Sequence, residues 1–138
     1  MTRHCKIFAK SPDGKKAVCI DAENEAEIMQ YVLQTHRYKE KFMHIIQLIL
    51  GGHRNTELYD KEDIDAKSKH VTAMKFFKGQ ENGRIYCKEM RTADGLFVVV
   101  TSEVYPRKKS EGVSKKEIPI IHKVASYEYK IQTPANKP

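Results

Sequence analysis

The spacing of apolar and polar positions changes period several times along the chain, and each change marks an element. Arg3 to Lys10 reads as a short strand. Ser11-Pro12-Asp13-Gly14 supplies a turn, and Ala17 to Asp21 is a second short run, so an N-terminal hairpin is expected. With Asp13-Gly14 as a two-residue loop, Cys19 would face Phe8. From Asn24 the period becomes helical: Ile28, Tyr31, Val32 and Thr35 share a face, and Asn24-x-x-Glu27 has the form of a capping box. This first helix is expected to end near His36. Tyr38 to Leu50 then places Phe42, Ile45, Ile46, Ile49 and Leu50 on one stripe, and Gly51-Gly52 stops it.

His53 to Ser68 is polar and weakly periodic, hence a loop. Its acids Asp60, Glu62, Asp63 and Asp65 lack the ligand spacing and turn glycine of a calcium loop, which leaves a solvated loop as the reading. Val71 to Lys78, Arg84 to Arg91 and Leu96 to Tyr105 read as three strands joined by short glycine-containing turns, an antiparallel meander. The last is apolar on both faces at its start, so it is expected to be the central, doubly covered strand. Pro106 ends pairing, and residues 107 to 113 form a basic loop. Ser114-x-x-Glu117 would open a helix running toward Tyr129, or the helix starts later with Pro119 in its first turn, where a proline costs no hydrogen bond. The expected fold is therefore α+β: an N-terminal strand or hairpin, a two-helix hairpin, a three-stranded antiparallel meander and a C-terminal helix. Residues 1–132 would form one domain and 133–138 a flexible tail.

Composition adds constraints to this pattern. The chain has 138 residues, 40% of them hydrophobic and 31% charged, a globular balance with enough length to bury a core by packing alone. Cys5, Cys19 and Cys87 form no C-x-x-C and cannot all pair, so buried thiols and a reducing, cytoplasmic setting are expected. The first residues hold no apolar leader, and the longest apolar run is Leu96 to Val100, so neither a signal peptide nor a membrane span is expected. The net charge is +7. Residues 1–70 carry 12 Lys and Arg against 11 Asp and Glu, whereas residues 71–138 carry 13 against 7, so the basic excess belongs to the second half. Such asymmetry fits a polyanionic partner, nucleic acid above all, although a solvated lysine-rich surface gives the same numbers.

No glycine-rich phosphate loop, G-x-S-x-G, H-E-x-x-H or paired Cys/His metal spacing is present, and the six histidines are scattered, so no metal or cofactor is expected. Strand alternation puts Arg84, Tyr86 and Lys88 on one face, Lys75 and Lys78 bracket Phe76-Phe77, and Tyr105 leads into Arg107-Lys108-Lys109. Guanidinium groups that grip phosphates and rings that stack on unpaired bases are what an RNA surface needs.

In this order of elements the chain resembles the RelE/ParE toxin superfamily, especially its HigB-like phage-related branch. The resemblance rests on Asp13-Gly14-Lys15, Gly83-Arg84-Ile85-Tyr86, Asp94-Gly95 before an apolar strand, Val104-Tyr105-Pro106-Arg107-Lys108, and Ser114-Lys115-Lys116-Glu117-Ile118. It implies a RelE-like fold and a type II toxin that cleaves mRNA on the ribosome without a metal, or poisons gyrase as the ParE branch does. A non-catalytic basic module that binds nucleic acid or an acidic protein is the competing reading. By position, Arg84 would hold the scissile phosphate and Arg107 or Lys108 would supply the second cation, with Tyr105 a phenol for proton transfer. Lys75, Lys78, Tyr86, Lys88, Lys109, Lys115 and Lys116 would bind RNA. Tyr127 and His70 are further candidates for acid or base. The resemblance also implies a cognate antitoxin that covers the basic face. Departures from the family pattern are the long loop at 53–68, Pro106 inside the basic motif, and no tyrosine early in the last helix.

Overall fold

The computed structural model describes residues 2–62, 65–78, 83–106 and 116–132. Two strands, β1 (Thr2–Lys10) and β2 (Lys16–Asp21), precede two helices, α1 (Glu25–Val32) and α2 (His36–Leu50). A short β3 (Tyr59–Lys61) and a single 3-10 turn (Ala66–Ser68) lead into β4 (Val71–Lys75), β5 (Arg84–Arg91) and β6 (Phe97–Tyr105), and the described chain closes with α3 (Glu117–Ala125) and β7 (Glu128–Ile131).

All seven strands join one mixed sheet in the order β3-β4-β5-β6-β2-β1-β7. This overturns the expected RelE-like layout of a three-stranded antiparallel meander with a two-helix hairpin. β4, β5 and β6 pair antiparallel, but β2 continues the sheet by lying parallel to β6, Val18 beside Val99. β7 then extends it on the far side by lying parallel to β1, Arg3 beside Tyr129. The two helices are fastened to the sheet separately, α1 over β6 and α2 over β2. β6 is covered on both faces, Val99 facing the helices while Val98 and Val100 join Cys5 and Cys19 on the other side, and its backbone groups, closed off from water, are paired on both edges, by β5 and β2.

The face under α1 and α2 is apolar, built from Val18, Ile28, Phe42, Ile45, Ile46, Met74, Phe76 and Ile85. α2 forms where the stripe predicts it, with the Thr35 hydroxyl accepting from the Tyr38 amide at 3.3 Å as a true N-cap. At α1 the expected capping box is not made. Asn24 instead reaches across to the sheet, its Nδ2 donating to the Ser102 carbonyl at 2.7 Å and to Glu103 at 3.0 Å. The other face carries α3 over Val71, Ala73 and Tyr86, through Ile121 and Val124. α3 begins at Glu117 with Pro119 in its first turn, and its cap residue is Lys116; Ser114 lies outside the described residues. It stops at Ala125 short of Tyr129, because Glu128–Ile131 pairs with β1.

Further departures from the sequence reading are local. The loop at 53–68 holds β3, which edges the sheet against β4. In the hairpin, a bulge at Phe8 puts Ile7, not Phe8, opposite Cys19. Cys5, Cys19 and Cys87 are buried free thiols. Among the described residues no helix is long and apolar enough to cross a membrane. The predicted tail at 133–138 lies outside the described residues.

Candidate functional site: a cationic cleft at the end of β4

The predicted basic face divides in two. Tyr86 and Lys88 point under α3. The Tyr86 phenol is buried and donates to Glu117 Oε2 at 3.1 Å, and its pKa is pushed well above the usual tyrosine range, first by burial and then by the Glu117 charge. Lys88 Nζ donates to the carbonyls of Ala125 at 2.5 Å and Tyr127 at 3.2 Å, so it closes the C-terminal end of α3, where a cation meets the negative end of the helix dipole. Burial holds its pKa below the usual lysine value. Neither side chain faces solvent as a grip for a strand would.

At the other end of β5 the arrangement opens. Lys75, Arg84 and Tyr105 are direct neighbours across β4, β5 and β6. Like charges directly opposite one another destabilise a sheet, so the Lys75–Arg84 pair breaks a local rule. Glu62 offsets part of this: its Oε1 accepts from Arg84 Nη1 at 3.1 Å, with both side chains about nine-tenths buried. Tyr105 is half-buried, its ring 6.4 Å from that of Tyr86. Gly83 sets the approach of β5 here, since a Cβ at that position would collide with the Tyr31 hydroxyl and the Pro106 carbonyl.

Beside this row lies a cleft of about 560 Å³, lined by Lys41, Lys75, Phe76, Phe77, Lys78 and Arg84 together with Thr56, Glu57 and Leu58. Four cations face one carboxylate, and Lys78 Nζ lies 3.9 Å from Glu57. Lys75 Nζ donates to the Thr56 carbonyl at 3.4 Å. The Phe77 ring carries the Arg37 guanidinium 3.7 Å above its centroid and the Lys41 ammonium at 5.4 Å. Such cation–π contacts gather positive charge at an aromatic wall.

Sequence reasoning did not find Glu62, Glu117, Arg37 or Lys41. The two helix cations sit four residues apart on the polar side of α2, a spacing that puts them on one face; what they face is set by the fold. Lys116 is exposed at the head of α3, away from the described lining of the cleft. Arg107, Lys108, Lys109 and Lys115 lie outside the described residues. Among the described residues no group of three or more His, Cys, Asp or Glu could hold a metal ion.

No family model, curated protein or solved structure matches the chain.

Proposed function

We propose that this protein binds single-stranded RNA in the cleft at the end of β4. The observation that carries the reading is the gathering of Lys41, Lys75 and Lys78 around one cleft in whose described lining Glu57 is the one carboxylate. A fold tolerates adjacent like charges where a ligand neutralises them, and a phosphodiester backbone supplies one negative charge per residue. The Arg37 guanidinium over Phe77 adds a planar surface of the kind on which unstacked bases lie. The buried thiols agree with a reducing, cytoplasmic setting for such an RNA protein.

Labelled oligouridine tests this directly, with binding followed by fluorescence anisotropy across a salt series. The folded protein should bind with log K falling by about 0.7 per contacted phosphate for each tenfold rise in salt. Lys75→Ala and Lys78→Ala should each weaken binding and flatten that slope. Absence of salt-dependent binding overturns the reading.

Strand cleavage at the same site is the second reading, favoured by Tyr105 standing in register beside Arg84. The 2′-hydroxyl would attack the adjacent phosphorus and give its proton to water, the 5′-oxygen would leave with the phenolic proton of Tyr105, which water then restores, and the Arg84 guanidinium would balance the charge that builds on the phosphoryl oxygens. The products would be a 2′,3′-cyclic phosphate and a 5′-hydroxyl. The short motifs that resemble those of RelE/ParE toxins motivate this chemistry on mRNA, and with it a partner antitoxin whose acidic segment covers the cleft. End-labelled RNA should be cut by the wild type and spared by Tyr105→Phe. An intact transcript in the presence of bound protein would leave the non-catalytic binding module as the function.

A further inference from the structure

Thr56 lines the cleft on one side and a second, separate depression on the other. That depression, of about 220 Å³, and a neighbour of about 270 Å³ share Lys61, Thr72 and Glu89, so together they form a groove along β3 and β4. Its floor is a fixed carboxylate. The Tyr59 phenol donates to Glu89 Oε2 at 2.7 Å and accepts from Thr72 Oγ1 at 2.8 Å, and the Glu89 amide donates to the His70 carbonyl at 2.9 Å. His70 holds that carbonyl in place from the left-handed region, at a φ of 69°. Burial pushes the Tyr59 phenol far above its usual pKa, so it remains a donor to Glu89 at all ordinary pH. Glu89 Oε1 receives no hydrogen bond from the described residues.

The rim has the opposite charge. Arg54, Lys61 and Lys69 are exposed, and none has an ion pair among the described residues. Asp60 is also at the rim, but its carboxylate is engaged by the Lys61 amide at 2.8 Å. A polyamine or a peptide arginine would be repelled by the three rim cations, and a simple anion by Glu89. The groove selects a ligand that is anionic at one end and offers hydrogen-bond donors at the other. Among nucleobases, guanine alone presents two adjacent N–H donors on its Watson–Crick edge. Adenine and cytosine pair one donor with an acceptor, and uracil flanks one donor with two acceptors.

We propose that this groove binds a guanine nucleotide unit, with Glu89 accepting from the base and Arg54, Lys61 and Lys69 holding its phosphate. The unit is a guanylate within the RNA of the cleft, and in that form the inference rests on the RNA reading, or it is a free guanine nucleotide.

Four probes separate these sources: GMP, AMP, hexauridine, and the same hexamer with one guanine. The G-containing RNA should bind at least tenfold tighter than hexauridine, and GMP should bind more tightly than AMP. Glu89→Gln should remove the difference between the two RNAs. Arg54→Ala, a surface change with no packing to lose, should weaken the G-containing RNA and GMP several-fold. If RNA binds with no preference for guanine and GMP matches AMP, the groove proposal fails and the RNA reading stands. If GMP is preferred and depends on Arg54 while neither RNA binds, the RNA reading fails and the groove is a free-nucleotide site. If nothing binds, both fail.

Discussion

The face of the sheet under α1 and α2 closes over aliphatic and aromatic side chains, Ile28, Ile45, Ile46, Met74 and Ile85 among them, packed around Phe42 and Phe76. The face under α3 has a smaller apolar patch and is held largely by polar bonds: Arg84 to Glu62, Tyr86 to Glu117, and Lys88 to the last carbonyls of α3. Around the head of α1 the same style continues. Arg3 grips buried Asp21 with two hydrogen bonds at 2.7 and 3.0 Å, Tyr129 donates to Asp21 at 2.6 Å, and Tyr127 donates to Glu103. The difference teaches that charge on a strand does not identify a binding surface. One face is stabilised by area removed from water, the other by directional bonds that fix geometry while adding little net stability. Among the described residues, the cations left to meet a ligand stand apart from these bonds: Lys75 and Lys78 at the open end of that second face, Lys41 across the cleft on α2, and Arg54, Lys61 and Lys69 along the β3–β4 groove.

Substitutions can break this contrast in order of size. Phe42→Ala, on the apolar face, should cost about 3–5 kcal/mol by denaturant unfolding, since it leaves a cavity between two packed elements. Glu62→Ala should cost about 3 kcal/mol, because it removes the buried carboxylate paired with the Arg84 charge; a double change of Glu62 and Arg84 to apolar residues of similar volume should recover most of that loss. Tyr86→Phe keeps the ring and deletes one donor to Glu117, with an expected loss of about 1–3 kcal/mol. Lys75→Ala and Lys78→Ala should fall within about 0.5 kcal/mol of wild type in stability while lowering RNA affinity, which is the mark of a surface kept for a ligand.

The pH dependence carries a smaller effect of definite sign. The phenols of Tyr59, Tyr86, Tyr127 and Tyr129 are all pushed above their usual value, each first by burial. A raised pKa means that the folded state keeps protons which the unfolded chain releases. Their contribution is therefore fully present below about pH 10, the unfolded tyrosine value, and is lost as pH rises beyond it. Tyrosinate absorbance should show these four ionising together with alkaline unfolding.

Much of the local structure was legible in the sequence. The apolar stripe of α2, the turn at Ser11 to Gly14 and the apolar run Leu96–Val100 leading into β6 are each short-range signals carried by neighbouring residues. β3 and β7 were not legible. Three and four residues of mixed polarity give no period to read, and both are strands only because a neighbour offers its free edge. The candidate site was half legible: Lys75, Lys78, Arg84 and Tyr105 stand out by residue type and alternation, whereas their opposite numbers on α2 and in the 53–68 loop do not.

By itself the sequence determined where the helix of the α2 stripe and the longer strands run, that the chemistry is basic and aromatic in its second half, and that three thiols have no pairing pattern. Those properties depend on neighbours within a few residues. The tertiary structure alone decided which strands pair, which cations face a ligand and which face a carboxylate. Arg84 meets Glu62, Lys88 meets the end of α3, and Lys41 meets Phe77 across 22, 37 and 36 positions of chain. Such distances are closed only by the packing of the sheet, and the fate of each buried charge follows from which partner that packing brings within reach.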